Sequence, residues 1–120
     1  MTLAIESRVG EGYVRFDVSG PWNLADIFAL IARVREEADA AGLAAALVDL
    51  LDVPGPIPQM ERFFAGKRVA EVLKHRIRLA VVVRAEYINK LGENTAVNRG
   101  ARMAVLSSEE HALAWLDGPG

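Results

Sequence analysis

The feature that most constrains the fold of this chain is the segment 43–58, an apolar run that ends in carboxylates and prolines. Residues 43–48 are all apolar, and the chain continues through Asp49 and Asp52 into a loop that carries three prolines. An unbroken apolar run is typical of a strand buried on both faces, as in a parallel sheet covered by helices. Such sheets bind ligands at the carboxyl ends of their strands. The segment therefore predicts a buried parallel strand that ends at a ligand-binding edge.

Length, charge and cysteine content narrow the classes of protein. A chain of 120 residues predicts one domain, residues 1–120. The net charge of -2 argues against a general nucleic-acid binder, because counterion release needs a basic face. The chain has no cysteine, which excludes disulfides, Cys-ligated zinc and a thiol nucleophile. Residues 1–6 lack the basic and apolar regions of a signal peptide, and no apolar stretch approaches the roughly 20 residues of a membrane span. We therefore expect a cytoplasmic protein without stable membrane insertion.

The N-terminal third predicts a hairpin followed by a helix. Residues 3–9 and 13–19 are two strands joined by Gly10-Glu11-Gly12. Alternate residues of the second strand are apolar, so the face that carries Arg15 and Asp17 is expected to be the wetter one. Asn23 then predicts a helix N-cap and Gly42 the residue that ends the helix.

The remaining elements alternate between helix and strand. Pro58 predicts the start of a second helix, which Gly66 could break, with its core side formed by Met60, Phe63, Phe64, Ala70 and Leu73. Strands are predicted at residues 77–83 and 101–106, with a helix over residues 86–98 between them. Ser107 and Glu110 have the spacing of a capping box, which predicts a last helix that ends in a frayed tail at residues 117–120.

These elements give the order β-β-α-β-α-β-α-β-α and an α/β fold class. Apolar strands separated by helices predict parallel pairing through right-handed crossovers. We therefore predict a mixed five-stranded sheet, with an N-terminal antiparallel hairpin, then parallel strands, and about four helices.

Three stretches of the chain resemble the STAS domain family, and more closely its SpoIIAA-like branch of small stand-alone bacterial proteins. They are the strand end Leu47-Val48-Asp49, the basic residue and apolar strand of residues 78–83, and the helix of residues 109–116. The resemblance covers nearly the whole chain. It implies a mixed five-stranded sheet and a role in binding a protein or a ligand rather than in catalysis.

The family's phosphorylation switch does not transfer to this chain. In regulatory members, the resemblance implies a phosphorylated Ser at the start of the helix after the central strand. The matching residues 49–58 contain no Ser or Thr. We therefore expect that kinase control of the usual family type does not operate here.

The predicted ligand-binding edge carries few chemical groups. Asp49 and Asp52 could form an acid pair or ligate a metal. Alternatively, Asp49 could accept backbone N–H groups while Asp52 is solvated. Trp22, Arg84 and Tyr87 lie near predicted strand ends and could line a small pocket with Asp49, although Trp22 and Tyr87 could equally be packing residues. With Asp52, these residues are the five candidate ligand-binding residues. His75 and His111 have neither a neighbouring nucleophile nor metal-ligand spacing. We expect no catalytic residues, no bound metal and no cofactor.

Residues 62–78 form a basic segment, with six Lys or Arg and one Glu. Lys67, Arg68, Lys74 and Arg76 are its candidate partner-binding residues, because a local positive charge can dock an acidic surface. A solvated helix face is the alternative explanation.

Together these observations predict a non-catalytic interaction or regulatory module of the SpoIIAA-like type. Its partner would be another protein or a second copy of the chain. The alternative is a binder or carrier of a small, partly apolar, lipid-like ligand at the carboxyl edge of the sheet.

Overall fold

The computed structural model describes residues 2–118, so that Pro119 and Gly120 of the predicted frayed tail lie outside the described residues. The strands and helices in chain order are β1 (Ala4–Val9), β2 (Val14–Ser19), α1 (Leu24–Ala41), β3 (Ala45–Asp52), α2 (Gln59–Leu73), β4 (Arg78–Val82), α3 (Leu91–Asn98), β5 (Arg102–Leu106) and α4 (Glu109–Asp117). A three-residue 3-10 turn, Ala85–Tyr87, follows β4.

The sheet is mixed and five-stranded, as the sequence predicted. Its strands lie in chain order from β1 to β5, with β1 antiparallel to β2 and every later neighbour parallel. Right-handed crossovers that always step in the same direction place their helices on one face of the sheet. Helices α1, α2 and α3 accordingly cover one face, and among the helices of residues 2–118 α4 is the one that covers the other. The predicted fold class is confirmed.

Helix α1 begins and ends at the residues that the sequence predicted. The side chain of Asn23 accepts a hydrogen bond from the backbone N of Asp26 at 3.0 Å. Gly42 follows the helix with a φ of 69°, a left-handed conformation that favours glycine. The predicted N-cap and C-terminal glycine are therefore confirmed.

Helix α2 is continuous through Gly66, where a break was a possibility. A Cβ atom at Gly66 would lie 2.3 Å from the backbone O of Gly92 in α3. A Cβ at Gly92 would lie 3.2 Å from the backbone O of Arg62. The close approach of α2 and α3 therefore leaves no room for a side chain at Gly66 and only a tight space at Gly92.

The predicted core side of α2 is wrong in its first half. Met60 and Phe64 are 63% and 41% exposed, and Phe63 is only half-buried. The physical reason is the phase of the helix. Because Gly66 faces α3, Val69, Ala70 and Leu73 lie on the same buried side of α2. Met60 and Phe64 therefore face outward.

Two other helix boundaries differ from the prediction. The single helix over residues 86–98 is wrong, because Ile88 is extended and separates the 3-10 turn from α3. The side chain of Asn89 accepts a hydrogen bond from the backbone N of Leu91 at 2.8 Å and starts α3 there. In α4 the N-cap is Ser108 rather than Ser107, since the Ser108 hydroxyl accepts from the backbone N of His111 at 3.1 Å.

We compared the helices with the length and hydropathy of membrane-spanning segments. No helix within residues 2–118 has both the length and the apolar character that crossing a bilayer requires.

Candidate functional site

The face of the sheet under α4 contains a buried arginine, Arg15 of β2. Its guanidinium contacts three carboxylates, at 2.9 Å from Asp17, at 3.2 Å from Asp49 and in a close ion pair with Glu109 of α4. Burial would lower the pKa of Arg15, but hydrogen bonds to Asp17 and Glu109 outweigh it and raise that pKa. The expectation that Arg15 lies on a wetter face is wrong. α4 covers this face, and the acids compensate the buried charge.

The two aspartates at the end of β3 have separate environments. One oxygen of Asp49 accepts the backbone N–H of Leu51 at 2.8 Å, and the other contacts Arg15. Asp52 is exposed. This arrangement is the one expected if Asp49 holds the strand end while Asp52 is solvated. Within residues 2–118, no group of three or more His, Asp or Glu side chains is placed to hold a metal ion.

A second buried arginine, Arg78 of β4, holds the other end of α4. Its guanidinium donates hydrogen bonds to the carbonyls of Trp115, Leu116 and Gly118. It also stacks over the Trp115 ring, 4.4 Å from the ring centre. A cation at these carbonyls complements the negative end of the helix dipole. Arg78 is the last cation of the basic segment 62–78, and its guanidinium is engaged with α4 inside the fold.

The opposite face of the sheet contains an apolar cavity of about 100 Å³. It lies between the sheet and helices α1 and α2, with Gly92 of α3 in its wall. Most of its lining residues are buried aliphatic side chains, such as Ile31, Val69 and Val81. The lining residues Trp22, Ile57, Arg62 and Asn89 keep some exposure, and they follow the carboxyl ends of β2, β3 and β4. The cavity thus reaches the surface at the edge where the sequence predicted a ligand.

The five predicted ligand residues do not come together around this cavity. Trp22 lines it. Asp49 lies on the α4 face of the sheet, Asp52 is exposed, and Arg84 is an exposed residue that donates to the carbonyl of Leu51 at 3.1 Å.

Tyr87, the last of the five, packs elsewhere. Its ring lies against Gly55 of the proline loop, where a Cβ would be 3.0 Å from the ring.

The cavity mouth is bordered by the first turn of α2. The indole Nε1 of Trp22 donates to the Glu61 carboxylate at 2.6 Å. The Arg62 guanidinium donates to the carbonyls of Ile57 at 3.2 Å, Tyr87 at 2.7 Å and Asn89 at 3.4 Å. Burial lowers the pKa of Arg62. Glu61 thus attaches α2 to the loop after β2, and Arg62 attaches α2 to the loop after β4.

The outward side of α2 forms a second candidate site. Two sets of exposed residues form what we call the outer stripe: four at helical spacing on α2, Met60, Phe64, Lys67 and Glu71, and Lys74 directly after the helix. Its first half is apolar and its second half is mostly basic. The ring of Phe63 lies beside it, 5.7 Å from that of Phe64.

The predicted partner-binding cations fall into two groups. Arg68 stacks on the Phe28 ring at 4.2 Å and contacts Glu71 at 3.4 Å, while Arg76 lies 3.5 Å from Asp39. Lys67 and Lys74 form no ion pair with any residue in the described range 2–118.

Sequence reasoning missed that Arg15, Arg62 and Arg78 are structural. The burial of Arg15 could have been predicted, because the apolar strands β3 and β4 require helices on both faces of the sheet. A helix on the second face also covers the neighbouring strand β2. For Arg62 and Arg78 the partners are mainly backbone carbonyls, which side-chain patterns do not reveal.

Comparisons with known proteins identify the fold. An anti-sigma factor antagonist from Mycobacterium paratuberculosis matches at a TM-score of 0.63 and 17% identity, over 98% of this chain and 96% of that one. An uncharacterized protein of the DUF3478 family with a SpoIIAA-like fold, from Shewanella loihica PV-4, matches at a TM-score of 0.58 and 17% identity, over 96% and 93% of the two chains. No family model and no curated protein matches the sequence. The chain therefore has the SpoIIAA-like fold, and the architecture implied by the resemblance is confirmed.

Proposed function

We propose that this chain is a non-catalytic interaction module that binds a protein partner through the outer stripe of α2. The observation that carries the proposal is the exposure of Met60 and Phe64, one turn apart on the same helix face. Large apolar side chains that are exposed together, with polar residues around them, are typical of protein-binding surfaces. Aromatic residues in particular supply much of the energy of such interfaces.

The charges of the stripe define the chemistry of the partner. Lys67 lies about one turn beyond Phe64, and Lys74 directly follows the last residue of α2. Neither lysine forms an ion pair within residues 2–118. Complementary charge accelerates association and disfavours wrong partners. The partner should therefore present an apolar pocket beside an acidic patch.

One structural neighbour gives this module a biological class. It is called an anti-sigma factor antagonist, and we propose a regulatory role of the same kind in the cytoplasm, with an anti-sigma factor as the first partner to test. Because residues 49–58 carry no hydroxyl, we propose that phosphorylation of this loop does not control binding.

A second copy of the chain is the less favoured partner. The acidic end of α1 is one surface for such a contact, but its Asp39 is already within 2.8 Å of Arg35 and 3.5 Å of Arg76. A homodimer through α1 would have to compete with these pairs. We therefore commit to a different protein as the partner.

Site-specific photo-crosslinking tests the proposal. A photoreactive residue replaces Phe64 in cells of the source organism, and a matched control replaces Val9, which is 65% exposed on β1. We expect a crosslinked protein at position 64 that is absent at position 9 and is lost when Lys67 and Lys74 are changed to Glu. Identical products at both positions, or a crosslink only to a second copy of the chain, would contradict the proposal.

A further inference from the structure

The cavity between the sheet and α2 has the size and chemistry of a site for a small apolar group. Its volume of about 100 Å³ is roughly two-thirds that of an engineered apolar cavity that stays dry and binds benzene or xenon. A chain of about four to six carbons suits such a space, whereas the long chains of a membrane lipid do not.

The wall of the cavity contains one cation, Arg62, that lacks a countercharge. No carboxylate in the described part of the chain lies within ion-pair distance of its guanidinium. Its three hydrogen bonds go to the uncharged carbonyls of Ile57, Tyr87 and Asn89. A guanidinium has five N–H donors, so two are left for another acceptor. A partly buried cation is unfavourable until an anion pairs with it.

We propose that this cavity binds a short-chain carboxylic acid, with its alkyl tail among the aliphatic side chains and its carboxylate on Arg62. A carboxylate accepts two N–H groups of one guanidinium side by side. The Glu61 carboxylate, adjacent along the first turn of α2 and hydrogen-bonded to Trp22, disfavours a doubly charged head such as a phosphate monoester. This site is separate from the outer stripe, since it lies on the inner side of the same helix.

A series of straight-chain acids from acetate to octanoate tests the proposal, with affinity measured by calorimetry. Burial of each added methylene should tighten binding about fourfold until the cavity is full. Beyond about six carbons the gain should stop. Affinity that is independent of chain length, or that rises steadily through octanoate, would overturn the proposal.

The head group is tested with hexan-1-ol as the matched probe. Hexanoate should bind at least about tenfold more tightly than hexan-1-ol, because the charged hydrogen bonds to Arg62 are lost in the alcohol. Arg62→Gln should remove this preference while the alcohol still binds. Arg102→Met, which changes an exposed cation of β5 outside the cavity, should preserve it. Equal binding of acid and alcohol to the native protein would contradict the role of Arg62.

Because Arg62 also holds two loops, a second variant locates the site independently of it. Val69→Phe should fill the cavity, leave the melting temperature unchanged or higher, and abolish binding of both hexanoate and hexan-1-ol. Native-like affinity for hexanoate in a folded Val69→Phe protein would show that the acid binds elsewhere and would overturn the proposal.

Discussion

The two faces of the sheet are held together by different kinds of contact. Under α1, α2 and α3 the interior is apolar and mainly aliphatic, and polar contacts such as Trp22 to Glu61 and Ser7 to Glu37 lie at the rim. Under α4 the buried apolar cluster is small, and the contacts beside it are the ion pairs of Arg15 and the carbonyl contacts of Arg78.

The difference follows from chain connectivity. α1, α2 and α3 each connect two parallel strands, so both ends of each helix are fixed by the sheet. Within residues 2–118, α4 follows β5 and its C-terminal end leads to no further strand. Arg15 contacts Glu109 at the first residue of α4, and Arg78 contacts the carbonyls at its last turn. Two buried arginines thus attach both ends of α4 to the sheet, whereas α1, α2 and α3 are attached at both ends by the strands that they connect.

The largest effect is expected on the apolar face, from Gly66→Ala. The new Cβ would lie 2.3 Å from the backbone O of Gly92, so α2 and α3 would have to move apart. We expect the free energy of unfolding to fall by about 2–3 kcal/mol, although alanine is intrinsically favoured in a helix by about 1 kcal/mol. Urea denaturation measures the change.

Gly92→Ala is the matched control, because its Cβ would lie 3.2 Å from the backbone O of Arg62 and a small adjustment accommodates it. Stability near that of the native protein is expected. If Gly66→Ala were as stable as Gly92→Ala, the close helix approach would not be the reason for these glycines.

On the α4 face, Arg15→Met should destabilise by about 2–3 kcal/mol. Removing one partner of a buried ion pair leaves the others uncompensated, and the effect is moderated because Asp17 and Glu109 keep 41% and 50% of their side-chain exposure. Hydrogen exchange should accelerate in α4 and not in α1. Arg102→Met, at an exposed position of β5, is the control and should change neither. Uniform acceleration across both helices would refute the separation of the two faces.

The stacking of Arg78 on Trp115 should couple the two residues by about 1 kcal/mol. A double-mutant cycle of Arg78→Met and Trp115→Leu isolates this energy from the separate loss of the carbonyl contacts. The pair of Arg99 and Phe63, 5.4 Å apart at the surface of α2 and α3, is the comparison and should couple less. A larger coupling at the surface pair would contradict the view that α4 depends more on its arginines.

The smallest effect is expected at the rim, from Glu37→Gln. Burial would raise the pKa of Glu37, but hydrogen bonds from Ser7 and Arg33 outweigh it and lower that pKa below the ordinary value of 4.5. A lowered pKa in the folded state stabilises the protein above the unfolded-state pKa, and this contribution disappears as the pH falls through the folded-state value. At pH 7 the free energy of unfolding of the variant should therefore be lower than that of the native protein by a few tenths of a kcal/mol.

Thermal melts of both proteins from pH 7 to pH 3 measure this difference. It should shrink below the ordinary pKa of Glu37. A difference that grows as the pH falls would give the opposite sign and refute the assignment.

The apolar patterns predicted the strand order and the helical cover well. The continuous apolar runs of β3 and β4 required cover on both faces, and Asn23 and Gly42 mark α1 by local hydrogen bonding that hardly depends on the rest of the fold. The phase of α2 could not be predicted in the same way. It depends on where Gly66 meets Gly92, a contact between residues far apart in sequence.

The candidate sites were predicted less well, for a related reason. The net charge of residues 62–78 does not distinguish a cation that is bound within the fold from one that is exposed. Arg62 and Arg78 are bound to backbone carbonyls, while Lys67 and Lys74 are exposed on the outer stripe. Met60 and Phe64 were assigned to the core because they are apolar, and only the phase of the helix reveals that they face outward.

The most direct test of the proposed function is the dissociation constant of the crosslinked partner for native protein, Phe64→Ser and Val9→Ser. Both residues are exposed, so all three proteins should have the same melting temperature. We predict that Phe64→Ser weakens binding by at least about tenfold, as expected for an aromatic residue at the centre of an interface, and that Val9→Ser does not change it. Equal affinity of the native protein and Phe64→Ser would show that the outer stripe is not the binding surface.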